Sequence, residues 1–110
     1  MKGTYLGEFE ELVLLTVGVL GSGGYGILVM QEIKVETGRS VNISAVHTSL
    51  RRLEEKGFVK STMGGATSER GGRRKRFFIL TEGGISVLNQ IRNSRNQMWD
   101  KIPVVSIGGT

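Results

Sequence analysis

Apolar positions recur along the chain with helical spacing in four stretches and with short strand-like runs in two. "LGEFEELVLLTVGVL" (6–20) opens with three glutamates and then runs on as a long apolar-rich segment, which suits a helix better than a strand. "YGILVMQEIKVETG" (25–38) places Ile27, Met30, Ile33 and the stem of Lys34 on neighbouring turns, and Gly38 stops it. "ISAVHTSLRRLEEKG" (43–57) follows Asn42, a good N-cap, and ends at Gly57; Ile43, Val46, Leu50 and Leu53 share one face by their spacing. "FVKSTMG" (58–64) and "RKRFFIL" (74–80) are short strands around "GATSERGGR", a glycine- and serine-rich hairpin tip. "TEGGISVLNQIRNSRNQMWDKI" (81–102) starts a last helix at the cap Thr81, with Glu82 in the first turn and Ile85, Leu88 and Ile91 as its apolar stripe. Gly83 and Gly84 weaken its start, and Pro103 ends it ahead of a frayed tail.

Three helices, a strand, a basic hairpin tip, a second strand and a helix form the order of a winged helix-turn-helix. The expected class is mostly α with a small β-hairpin. Residues 1–80 would form the DNA-binding domain, 81–102 a C-terminal dimerisation helix and 103–110 a tail. Dimerisation is expected because Met98, Trp99 and Ile102 lie beyond the compact domain without an obvious partner in their own chain. A chain of 110 residues buries only about 60–70% of its unfolded surface, so a second subunit would help it.

"GSGGYG" (21–26) fits the phosphate-cradling G-x-G-x-x-G pattern, but its context does not. A dinucleotide fold needs a preceding strand and an acidic residue about 20 positions on. The segment before the glycines is helical, and "SVNISAVHTS" (40–49) contains no Asp or Glu. The glycines therefore read as a turn between helices, with Gly21, Gly23 and Gly24 free to adopt positive φ.

The formal charge is +5, and its distribution is uneven. Residues 39–80 hold ten Lys/Arg against three Glu, whereas the remainder holds five basic and seven acidic side chains. A basic middle fits one face meeting a polyanion. The chain has no cysteine and one histidine, which excludes thiolate zinc sites, histidine metal clusters and most hydrolytic constellations. No cofactor and no enzymatic activity are expected. The apolar run 12–20 is too short to span a bilayer and follows acidic rather than basic residues, so a cytoplasmic location and no membrane partner are expected.

The outer face of the third helix carries Ser44, Ala45, Thr48, Arg51, Arg52 and Glu55, with His47 on its flank. Short side chains near its start allow close approach to base edges, and the arginines reach bases or phosphates. His47 fits two readings, a donor to phosphate or a side chain packed on the helix flank. Tyr25, Arg70, Arg73, Arg74 and Lys75 are the expected wing and turn contacts.

"GYGI" (24–27), "HTSLRRLEEKGFVKS" (47–61) and "GGRRKRFFILTEGG" (71–84) together resemble the PadR family of bacterial transcription regulators, over roughly residues 6–90. The resemblance implies a winged helix, a homodimer held largely by the C-terminal helix, and double-stranded DNA as partner. Two stretches depart from the family: His47-Thr48 stands where Tyr-Pro is usual, and "NISA" (42–45) where Ser-Pro-Gly-Ser is usual. Asn42 keeps the capping role, while the family's tyrosine contact to DNA does not carry over. In multidrug-responsive members, aromatic residues of the last helix line a flat pocket between subunits. Met98, Trp99 and Ile102 occupy the matching region, as the dimer seal or as the site of a small aromatic ligand. The expected function is sequence-specific transcriptional regulation, as a repressor released by an aromatic effector. The alternatives are a winged-helix protein–protein module and a small-molecule-binding protein that uses the dimer interface.

Overall fold

The computed structural model describes residues 5–64 and 74–103. The elements are α1 (Glu8–Leu20), a 3-10 turn (Gly21–Gly23), α2 (Gly26–Thr37), α3 (Ile43–Glu55), β1 (Val59–Gly64), β2 (Lys75–Leu80) and α4 (Glu82–Asp100). The expected order holds throughout. Val13, Leu14 and Val17 of α1, Val29 and Ile33 of α2, and Val46, Leu50 and Leu53 of α3 meet in one core with Val59, Phe78 and Val87. Each such aliphatic side chain stabilises the fold by about 1.5–3 kcal/mol through removal from water.

The turn at "GSGGYG" does two things. Of the three glycines expected to adopt positive φ, only Gly21 does, at 65°, and its N–H bonds back to the last turn of α1. Gly24 is extended and forms an isolated antiparallel bridge with Phe78, whose N–H donates to the Gly24 carbonyl at 2.8 Å. The glycine run thus stitches the helical part to the free edge of β2. The hairpin itself pairs β1 with β2 in antiparallel register from Val59↔Leu80 to Gly64↔Lys75.

Two apolar stripes are rotated from their expected positions. On α2 the expected Ile33 is buried and Met30 packs on the core, but the line continues through Gly26 and Val29, while Ile27 and Lys34 face solvent. On α4 it is Gly84 and Val87, followed by half-buried Leu88 and Ile91, while Ile85 is exposed. The cause on α4 is a close approach. A Cβ at Gly84 would collide with the carbonyl oxygen of Phe58. The helix must present Gly84 to that carbonyl, and Val87, Leu88 and Ile91 then follow one and two turns on the same face.

The three glutamates of α1 each hold a different part of the chain. Glu8 pairs with Arg39 at 2.7 Å, Glu10 with Lys56 at 2.7 Å, and Glu11 with Arg95 at 3.0 Å. The exposed Arg39–Glu8 pair contributes about 0–1 kcal/mol, whereas the Lys56–Glu10 pair is partly buried. The larger consequence of the three pairs is to seat the loop before α3, the end of α3 and the middle of α4 against one helix. Beyond Ile91, α4 leaves the core, and every residue from Arg92 to Asp100 is exposed.

Candidate nucleic-acid interface

The surface of α3 is set by its cap. Asn42 Oδ1 accepts from the N–H groups of Ser44 at 2.7 Å and Ala45 at 3.2 Å, which stabilises the helix start by about 1 kcal/mol. With Val46, Ser49, Leu50 and Leu53 buried, Ser44, Ala45, His47, Arg51 and Arg52 are exposed and Thr48 is half-buried. The spacing predicts one outer face with His47 on its flank; the structure divides that face. Ser44, Ala45, Thr48 and Arg52 open onto a hollow of about 730 Å³ shared with the start of α1. His47 and Arg51 open instead onto a second hollow of about 520 Å³, shared with Glu54, Arg76 and Phe78 and lying toward the hairpin.

The flank residue His47 packs. Its ring lies against Gly26, where a Cβ would collide with the imidazole. It nevertheless remains exposed and makes no hydrogen bond among the described residues. Gly26 in "GYGI" is thereby explained as the close contact that lets α3 cross the start of α2.

At the hairpin, Arg74, Lys75 and Arg76 are exposed. Tyr25 is half-buried, edge-on to Phe77 with ring centroids 5.5 Å apart, and the Lys75 ammonium lies 5.2 Å from its ring. Tyr25 thus ties the turn to β2 and fixes Lys75 by a cation–π contact of about 0.5–1 kcal/mol. Arg70 and Arg73 lie outside the described residues, as does the whole of the expected hairpin tip.

Ion pairing sorts the basic middle of the chain. Arg39 and Lys56 are neutralised by Glu8 and Glu10. Arg51, Arg52, Lys60, Arg74, Lys75 and Arg76 have no carboxylate partner among the described residues. The uncompensated charge therefore sits on α3 and the hairpin. The one resolved shift in ionisation lies elsewhere: Glu32 on α2 is held above the usual carboxylate range, first by its hydrogen bond with Glu36, then by partial burial and the Glu36 charge.

Arg76 was not singled out from the sequence, although the signal was there. Alternation along 74–80 puts Arg76 on the same strand face as buried Phe78, and hence toward α3. Its guanidinium donates to Ser61 Oγ at 3.0 Å, and that hydroxyl donates to Glu54 Oε2 at 2.7 Å.

The last helix offers a different surface. Met98 and Trp99 are 68% and 65% exposed, and with Arg95 and Ile102 they border a shallow hollow of about 260 Å³. Leu15, Val19 and Ile85 are also exposed, around a groove of about 400 Å³ between α1 and α4. The α1 part of this apolar surface was hidden in the sequence, because the run 12–20 reads as core on every side.

Among the described residues there is no group of three or more His, Asp or Glu placed to hold a metal ion, and no helix long and apolar enough to cross a membrane.

Three helices, an antiparallel hairpin edged by basic residues and a following helix define a winged helix-turn-helix protein of the DNA-binding class. The chain belongs to the transcriptional regulator PadR-like family, whose model matches residues 16–90. It is a DNA-binding transcriptional regulator. Among solved structures it is similar to a PadR-like transcription factor from Bacteroides fragilis, with 20% identity, coverage of 84% of each chain and a TM-score of 0.71. A PadR family transcriptional regulator from Eggerthella lenta matches with 21% identity, covering 84% of this chain and 80% of that one, at a TM-score of 0.66. A transcriptional regulator from Clostridium thermocellum matches with 20% identity, covering 81% and 83% of the two chains, also at 0.66. At this identity the likeness shows the fold. A comparison with curated proteins finds no match.

Proposed function

We propose that the protein is a homodimeric repressor that binds a palindromic operator as a winged helix. Residues 1–80 form the DNA-binding unit, 81–102 the dimerisation helix and 103–110 a tail. The observation that carries this reading is that six of the eight described basic side chains within residues 39–80, all of them on α3 and the hairpin, have no carboxylate partner among the described residues. Two copies of α3 enter successive major grooves, and the hairpins lie along the backbone. Ser44, Ala45 and Thr48 allow close approach, Arg52 beside them reads a base edge, and Tyr25, Arg70, Arg73, Arg74 and Lys75 contribute backbone contacts.

The dimer is held by the exposed apolar side of α4, with Met98, Trp99 and Ile102 meeting the partner copy. A planar aromatic effector bound beside Trp99 would change the angle between subunits and release the operator. Trp99 is the chain's single tryptophan, so quenching of intrinsic fluorescence by planar aromatic cations reports directly on this site. The function as a whole is tested by selecting genomic fragments with purified protein. Recovery of fragments that share a palindrome supports it, and recovery of fragments without a common sequence would overturn it.

The wing supplies sequence-independent affinity. Arg73→Ala with Arg74→Ala is expected to weaken binding to cognate and random duplexes alike and to lower the salt slope by about 1–2 units, roughly one per lost phosphate contact. Loss confined to the cognate site would show that the wing reads sequence.

A further inference from the structure

The crease between α3 and the hairpin belongs to neither the wing tip nor the base-reading side of α3. Three cationic or donor groups, Arg51, His47 and Arg76, converge on its hollow of about 520 Å³, with Glu54 as the one carboxylate on its rim. Glu54 is already engaged: one of its oxygens accepts from the Ser61 hydroxyl at 2.7 Å. That hydroxyl in turn accepts from Arg76 at 3.0 Å, so its proton points to Glu54 and its lone pair to the guanidinium. Arg76 is thereby pinned by one of its N–H groups, while the others stay open. Arg51 is on the opposite wall, exposed and without an ion pair among the described residues. Two guanidiniums and an imidazole around a polar hollow form a receptor for a tetrahedral oxyanion, since planar forks match phosphate oxygens bidentately.

We propose that this crease clamps one backbone phosphate of the duplex, with Arg76 and Arg51 as the contacting residues and Ser61 as the positioning residue that holds Arg76 through Glu54. The proposal rests on the DNA-binding reading and refines it. Arg51 becomes a backbone contact, which leaves Arg52, on the other side of α3, for the base edges. The shared chemistry is an oxyanion, and the committed source is the DNA backbone. A phosphate held between the recognition helix and the wing fixes the depth and angle at which α3 enters the groove.

The test is a salt-dependent titration of the full chain against cognate and random duplexes. Arg76→Gln keeps a side-chain donor but loses the charge. It is expected to weaken both duplexes by the same factor, roughly 10-fold at low salt, and to reduce the salt slope by about 1. Ser61→Ala leaves the phosphate contact in place but unpins the guanidinium. It is expected to weaken both duplexes by about 3-fold, the effect of ordering one long side chain on binding, with the slope unchanged. An unchanged slope for Arg76→Gln, or a loss seen on the cognate duplex alone, would overturn the clamp while leaving DNA binding intact. Wild-type protein that binds no duplex would overturn the underlying reading instead. Saturation of the crease by millimolar inorganic phosphate, with Arg76→Gln still binding duplex normally, would assign it to a free anion and also overturn the proposal.

Discussion

Removal of residues 92–110 is expected to convert a dimer into a monomer and to weaken operator binding by roughly 10²–10⁴-fold. The size of the effect follows from linkage: two tethered half-sites act through an effective concentration that a single copy lacks. The cut falls just after Ile91, which is the last residue of α4 packed on the core, so Gly84, Val87, Leu88 and Ile91 remain to hold the first turns of the helix. What is lost within the chain is the exposed Arg95–Glu11 pair, a minor contribution to stability. Replacing Trp99 and Ile102 with Glu in the full-length chain gives the same expectation without shortening the helix. Sedimentation and operator titration read both quantities. A truncated chain that still sediments as a dimer would move the interface to the groove between α1 and α4.

Gly84→Ala is expected to destabilise the domain by about 3 kcal/mol, at the upper end for overpacking, because the colliding atom is a backbone carbonyl that cannot rotate away. For a domain of this size that lowers the thermal midpoint by roughly 10–20 °C. Gly83→Ala, one residue earlier, is the informative contrast. A Cβ there meets neighbours no nearer than 3.5 Å, and removing a flexible glycine from a helix gains about 0.5 kcal/mol. Thermal unfolding of the two variants should therefore move in opposite directions. Equal, small shifts would mean that α4 is not locked to the Phe58 carbonyl.

That pair of glycines also shows what could and could not be read from the sequence. Element order, the caps Asn42 and Thr81 and the stop at Gly38 were legible, because capping and periodicity are local. Gly84 was legible only as a weak helix start. Its role depends on a carbonyl 26 residues away in sequence, and the rotation of α4 that exposes Ile85 follows from that contact. The same holds for Gly26, whose partner is the ring of His47. Charge was legible as a sum over 39–80 but not in its pairing, so Arg39 and Lys56 counted toward the basic face until Glu8 and Glu10 were seen to hold them. The candidate site was legible as a set of residues on α3. Its division between two hollows, and the place of Arg76 in one of them, required the hairpin to be folded against the helix.

In the proposed mode of binding, α3 reads sequence while the charges around it supply general affinity. Titrating wild type and Arg52→Ala against the selected operator and a scrambled duplex, over a range of salt, tests it most directly. Wild type is expected to prefer the operator by at least about 10³-fold. Arg52→Ala is expected to lose about 1–3 kcal/mol on the operator, roughly 5- to 150-fold, with little change on the scrambled duplex. Equal binding of both duplexes by wild type, or an equal loss on both in the variant, would contradict it.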